Sequence, residues 1–149
     1  MPGPDPSHWL RRLTPAEWLA AAETELEHAA EKLSARAVRP GVTHARRAAG
    51  MAWNAVMTAA PDAEEALVER YGRSYMDHVV ALAGAADVPD EVRAAAAFLR
   101  DTPPVAPTLV TLTAPGHPDL RALEAARVIV AHAGERSPLA APTSAKTDT

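Results

Sequence analysis

The sequence predicts an all-α protein, an up-and-down antiparallel bundle of four to five helices. Hydrophobic residues make up 48% of the chain but aromatic residues only 4%, so alanine, the strongest helix former, supplies much of the apolar surface. Apolar residues also recur every three to four positions in several stretches, which is the spacing of one helix face. Proline, glycine and capping residues separate these stretches. A length of 149 residues fits one domain with a single core.

The first predicted helix has the clearest start. Thr14 stands at the N-cap, Pro15 at the first helical position and Glu17 three residues after the cap, which is a capping-box pattern. Its apolar stripe at helical spacing consists of Leu19, Ala22, Leu26, Ala29 and Leu33. We expect this helix to end before Pro40 and Gly41.

A second helix is predicted from about Thr43 to Ala60, ended by Pro61. Its stripe of small residues would let neighbouring helix axes approach closely, so we expect this helix at the centre of the bundle. Large side chains are rare, and the predicted core anchors are Trp18, Leu26, Trp53, Leu82, Phe98 and Leu123.

Shorter helices complete the predicted bundle, at about residues 62–71, 74–86, 89–100 and 118–134. Whether Gly72 breaks or only bends the chain between the first two of these is left open by the sequence. The proline-rich segment 101–118 has strand-like composition without a partner strand, so we expect an extended segment packed along the bundle.

The folded domain is expected to span 13–134, preceded by a loose segment at 1–12 and followed by a disordered polar tail at 135–149. The start lacks a basic region followed by an apolar run, and the apolar stretches are too short to span a bilayer. We therefore expect a cytoplasmic protein with no membrane partner. A net charge of −4 argues against a protein held on nucleic acid by bulk charge alone.

Arg73 and His78 form the one pair whose spacing suggests chemistry. Histidine could deprotonate a ribose 2′-OH while arginine stabilises the charge of the phosphorane, with Ser74 and Asp77 assisting. Five residues along a helix turn the side chain by about 140°, so the pair converges only in special cases. Either Gly72 keeps the arginine outside the helix, or a second subunit supplies the counterpart. The alternative is a histidine at the edge of the core that only donates a hydrogen bond.

Two other constellations are weaker. Glu25 and His28 form a Glu-x-x-His of the di-iron bundle type, but a second copy is lacking, so we interpret them as an exposed helix face. We predict neither a metal nor a cofactor, although a zinc site assembled across helices stays an alternative without a spacing signal. His44, Arg46 and Arg47 belong to the densest basic stretch. They would either contact phosphate or complement a helix end, and we favour the second interpretation.

The spacing of Arg73 and His78 resembles the Arg-x4–6-His signature of the HEPN family, small helical bundles that include many ribonuclease toxins. The order of the helical segments resembles that family as well. The resemblance covers roughly residues 14–134. Residues 43–57 are similar to the alanine-rich second helix of that family, and 76–82 to the His-x-x-x-Leu segment that opens its third long helix. Residues 88–99 resemble the short helix that follows, and 120–133 resemble the closing helix.

The resemblance implies a bundle that binds a nucleotide, RNA or a partner protein in a toxin–antitoxin-type system. It also implies a homodimer, with a nucleotidyltransferase as a partner class. The alternatives are a metal-independent RNA endonuclease that uses Arg73 and His78, and a helical dimer with a structural role only. Val80 stands where the nuclease branches have a tyrosine, and 101–104 lacks an Arg-Tyr-Pro stretch, so binding is preferred over catalysis.

Overall fold

The computed structural model describes residues 10–102 and 118–137, and all regular secondary structure in these residues is helical. The α-helices there are α1 Pro15–Ser34, α2 Val38–Thr58, α3 Glu64–Tyr71, α4 Tyr75–Ala83, α5 Asp90–Asp101 and α6 Arg121–Arg136. Short 3-10 turns occupy Leu10–Arg12 and Pro61–Ala63. The all-α prediction is confirmed. The described residues contain six α-helices, all at predicted segments, and the count exceeds four to five because α3 and α4 are separate helices. None of the helices within 10–102 and 118–137 has the length and apolar character needed to cross a membrane.

The start of α1 is as predicted. The Glu17 backbone N–H donates to the Thr14 hydroxyl at 3.1 Å, and the Glu17 carboxylate accepts from the Thr14 N–H at 2.9 Å. The Trp18 indole, one turn later, donates to the carbonyl of the buried Leu10 at 2.8 Å. Ser137, at the other end of the fold, is also buried. The packed region therefore extends past both expected limits, 13 and 134.

Helix α2 begins earlier than predicted, at Val38 instead of Thr43, and ends at Thr58. Pro40 lies in its first turn, where backbone N–H groups have no partner within the helix, so proline costs nothing there. The sequence prediction treated this proline as a terminator, which was wrong for the start of α2. The helix is central as expected, because it packs against α1, α4 and α6.

Small residues allow α2 to approach its neighbours closely. A Cβ added to Gly41 would lie 2.5 Å from the Leu33 side chain of α1. A Cβ on Gly50 would lie 2.4 Å from the Cβ of Tyr75 and 2.6 Å from its Cα. Both glycines thus permit helix contacts that a methyl group would block. Five of the six predicted anchors are buried, and Phe98, the exception, is partly covered by the Arg121 guanidinium at 5.4 Å.

Gly72 ends α3 and separates it from α4, so the helix is interrupted here and not merely bent. Its φ of 80° and ψ of −169° lie in a region that is essentially restricted to glycine. A new capping box follows, because the Ser74 hydroxyl accepts from the Asp77 N–H at 3.0 Å and the Asp77 carboxylate accepts from the Ser74 N–H at 3.3 Å. Helix α4 ends at Ala83, before the predicted residue 86.

Three expectations fall partly or wholly on residues outside the described ranges. These are the loose N-terminal segment up to residue 9, the extended segment at 103–117 and the disordered tail from 138 onward.

Candidate functional site

His78 lies in the core and is fully buried. Its Nδ1 lies 2.8 Å from the Tyr71 carbonyl oxygen, and its Nε2 lies 2.7 Å from the side-chain Oδ1 of Asn54. A carbonyl can only accept, so Nδ1 carries a proton and donates it to Tyr71. The ring therefore joins α2, α3 and α4.

Burial lowers the pKa of His78, so the neutral ring is the favoured form in the folded state. In a neutral ring that donates through Nδ1, the Nε2 atom must accept. The structure places Asn54 Oδ1 toward the ring, so a neutral imidazole requires a half-turn of this amide that lets its NH₂ group donate to Nε2. The half-turn also gives a partner to the buried Asn54 Nδ2, which has none while the oxygen faces the ring.

Arg73, the other half of the predicted catalytic pair, is exposed on the surface. The imidazole is inside the core and the guanidinium is outside it, so the two do not share a solvent-accessible cleft in this structure. While both ring nitrogens are held by Tyr71 and Asn54, His78 has no free atom with which to take a proton from a ribose hydroxyl. The geometry is closer to the alternative weighed from the sequence, a histidine that only donates a hydrogen bond, although the ring lies inside the core and not at its edge.

Ser74 and Asp77, the predicted supporting residues, form the N-terminal cap of α4. Hydrogen bonds from the backbone and hydroxyl of Ser74, joined by the backbone N–H of Arg73, lower the pKa of the Asp77 carboxyl. Both residues therefore have a structural task that explains their spacing.

A surface cleft of about 700 Å³ lies beside Arg73, between α3 and α4. Its lining residues are Glu65, Ala66, Val68, Glu69, Gly72, Arg73 and Asp77. Three carboxylates face one guanidinium in this set, so the cleft is acidic overall. Such a lining attracts cations and repels phosphate.

The predicted basic residues of α2 do not form a single phosphate-binding patch. Arg46 donates from Nε to the Leu99 carbonyl at 2.8 Å and from Nη2 to the Thr102 carbonyl at 2.6 Å, at the C-terminal end of α5. Partial burial lowers the pKa of its guanidinium. Arg47 and His44 face α1 instead, where both approach the carboxylate of Glu25. The three side chains are thus engaged within the chain, on two sides of α2.

Glu25, His28 and His44 form a cluster that the sequence prediction missed. Each offers one ligand atom, and these atoms all lie within 4.8 Å of one another. The sequence showed the Glu-x-x-His half on α1, but the third member comes from α2. Only the pairing of α1 with α2 brings it near, because no local spacing links residue 44 to residues 25 and 28.

Comparison with protein-family models, curated proteins and solved structures found no match to this chain. The fold itself defines the class, an all-α helical bundle with a histidine buried at the junction of three helices. The resemblance to HEPN proteins, which rests on the order and character of the segments, stays a prediction.

Proposed function

We propose that this chain is a HEPN-like helical bundle that binds a partner protein in the cytoplasm and does not cleave RNA. The acidic cleft at Arg73 carries this proposal. Its three carboxylates suit a protein segment rich in lysine or arginine, and its single guanidinium suits one acidic group within that segment. An RNA phosphate backbone would meet net repulsion at the same surface.

Three further observations support protein binding over RNA binding. The histidine that would serve a nuclease is buried and hydrogen-bonded, and Arg46 and Arg47 are engaged with α5 and Glu25. The chain as a whole carries a net charge of −4. The family resemblance adds a homodimer, a toxin–antitoxin-type setting and a nucleotidyltransferase as the partner class.

The test is a titration of the ¹⁵N-labelled protein, followed by amide chemical shifts, with two probes of opposite charge. One probe is a lysine-rich decapeptide that contains one aspartate, and the other is a ten-nucleotide oligoadenylate. We expect saturable shifts confined to residues 65–77 with the peptide, weakened by salt. The oligoadenylate should leave these amides in place.

A matched pair of double variants tests whether the cleft itself is responsible. The first variant, Glu65→Gln with Glu69→Gln, removes from the cleft two exposed charges that are four residues apart in the sequence. The second, Glu23→Gln with Glu27→Gln, removes an equally spaced exposed pair from α1. We expect the first pair to weaken peptide binding about fivefold, from about 0.5 kcal/mol per exposed charge, and the second pair to have little effect.

Several outcomes would contradict the proposal. Equal weakening by both double variants would show that only net charge matters. Saturable binding of the oligoadenylate at 65–77 would favour RNA as the ligand. RNA cleavage by the purified protein, lost in a folded Arg73→Ala variant, would establish the endonuclease alternative.

A further inference from the structure

We propose that Glu25, His28 and His44 form a binding site for a divalent transition-metal ion, with zinc as the best match. Two imidazoles and one carboxylate are ligands that zinc uses in proteins. The chain contains no cysteine, so thiolate-dependent metals and clusters do not suit it. The site lies on the α1–α2 hairpin, and it goes beyond the proposed function at the cleft between α3 and α4.

The helices place the three ligands on one surface. Glu25 and His28 are three residues apart on α1, which puts their side chains side by side. The contacts Leu33–Gly41 and Glu25–His44 run in opposite order along the two helices, so α1 and α2 are antiparallel. This register brings His44 next to the α1 pair, with the rings of the two histidines 5.1 Å apart.

The ligand distances are close to those that a metal needs. Bonds of about 2.1 Å in a tetrahedral site put neighbouring ligand atoms roughly 3.4 Å apart. The ligand atoms here lie within 4.8 Å of one another, so a shift of up to about 1.4 Å would bring the more distant atoms to this spacing. Glu25 Oε1 and His44 Nδ1, now 2.6 Å apart, would move slightly apart. His28 is exposed and can change its rotamer to make that shift without disturbing the core.

Glu25 differs from the other glutamates of α1, and the difference points to this surface. The exposed glutamates are Glu17, Glu23, Glu27 and Glu31, whereas Glu25 is only 8% exposed. Its carboxylate lies 2.6 Å from the Nδ1 of His44 and 3.5 Å from the Nη2 of Arg47. A buried carboxylate held between an imidazole and a guanidinium is already oriented, so little side-chain entropy is lost when a metal binds.

The arrangement also predicts a fourth metal ligand that does not come from the protein. Three protein ligands leave one tetrahedral position open, as in zinc sites that bind water or a substrate. Arg47 is half-exposed beside the cluster and favours an anion at the open position. Its contact with Glu25 would fix the carboxylate from outside the metal shell.

The test uses the untagged full chain after metal removal, titrated with Zn²⁺ by calorimetry. We expect one equivalent to bind in the micromolar range or tighter and to raise the melting temperature. The variants His28→Asn and His44→Asn should each weaken zinc binding by at least about tenfold. The matched controls Glu27→Gln, on the same helix, and His117→Asn, elsewhere in the sequence, should leave it unchanged.

A second readout keeps the result independent of folding effects. The imidazole ¹H–¹³C resonances of His28 and His44 should shift with one equivalent of zinc, while those of His132 should not. His28 is exposed, so its replacement should not unfold the protein. Three results would each overturn the site. These are unchanged zinc affinity in His28→Asn, absence of zinc binding to the wild type, and loss of the bound zinc equivalent in His117→Asn.

Discussion

His78 predicts how the stability of the fold depends on pH. The folded state holds the ring neutral, because burial lowers its pKa below the ordinary value of 6.5. The unfolded chain has no such burial, so its imidazole takes up a proton near that ordinary value. Below it the unfolded state therefore binds one more proton than the folded state, and stability must fall as the pH falls.

The magnitude follows from one proton. Between pH 6.5 and the lower pKa of the folded state, the free energy of unfolding should drop by about 1.4 kcal/mol per pH unit. Above pH 6.5 this contribution is complete and the curve should be flat. Asp77, Asp87 and Asp119 have pKa values lowered by hydrogen bonds, so their contributions are lost only in more acidic solution, below about pH 4.

The assay is urea unfolding of the wild type, His78→Gln and His132→Asn at several values between pH 7.5 and 5. His78→Gln should be less stable at pH 7.5 by about 2–4 kcal/mol, because buried partners lose hydrogen bonds and packing. Its slope below pH 6.5 should be shallower by up to about 1.4 kcal/mol per pH unit. His132 is partly exposed, and its pKa is lowered by burial and then by Arg136, so its variant should keep most of the slope. Equal slopes in the wild type and His78→Gln would refute a neutral, buried imidazole.

Two further predictions concern the helix boundaries, each with a matched substitution, and both are measured by chemical unfolding. Gly72→Ala should destabilise the fold by about 1–3 kcal/mol, because φ is +80° and the new Cβ would lie 2.4 Å from the Cβ of Asp77. Gly134→Ala, inside α6 with open space around it, should stabilise by about 0.5–1 kcal/mol; the reverse order would contradict the backbone argument. Thr14→Ala should cost about 1 kcal/mol through loss of the α1 cap. Thr24→Ala, in the exposed middle of α1, should be neutral or slightly stabilising, and an equal loss at both threonines would exclude the capping explanation.

The parts of the fold that were predictable depend on residues close in sequence. The cap at Thr14 was recognised because its motif is complete within four residues. The start of α2 was not, since a Pro-Gly pair can end one helix or sit in the first turn of the next. In the structure the pair lies in the first turn of α2, where Gly41 packs against Leu33, a contact that local sequence does not reveal.

The sites were less predictable than the helices, because their partners are far apart in sequence. His78 could be placed near the core face from its spacing, but its partner Asn54 lies 24 residues away. Glu25 and His44 are 19 residues apart and meet only through the register of two helices. Apolar periodicity defines which face of a helix is buried, but it does not define which polar groups meet there.

Gly50 sets the distance between α2 and α4 through direct backbone contact, which side-chain packing could not do. The atoms nearest to it include the Cα of Tyr75, so the two main chains themselves set the spacing between these helices. Replacing neighbouring alanines with other small residues would leave that spacing almost untouched. Asn54 lies one turn along α2 from Gly50, and His78 lies one turn along α4 from Tyr75. The backbone contact therefore sets the distance across the hydrogen bond between Asn54 and His78. A methyl group at position 50 would therefore disturb a polar interaction that it never touches.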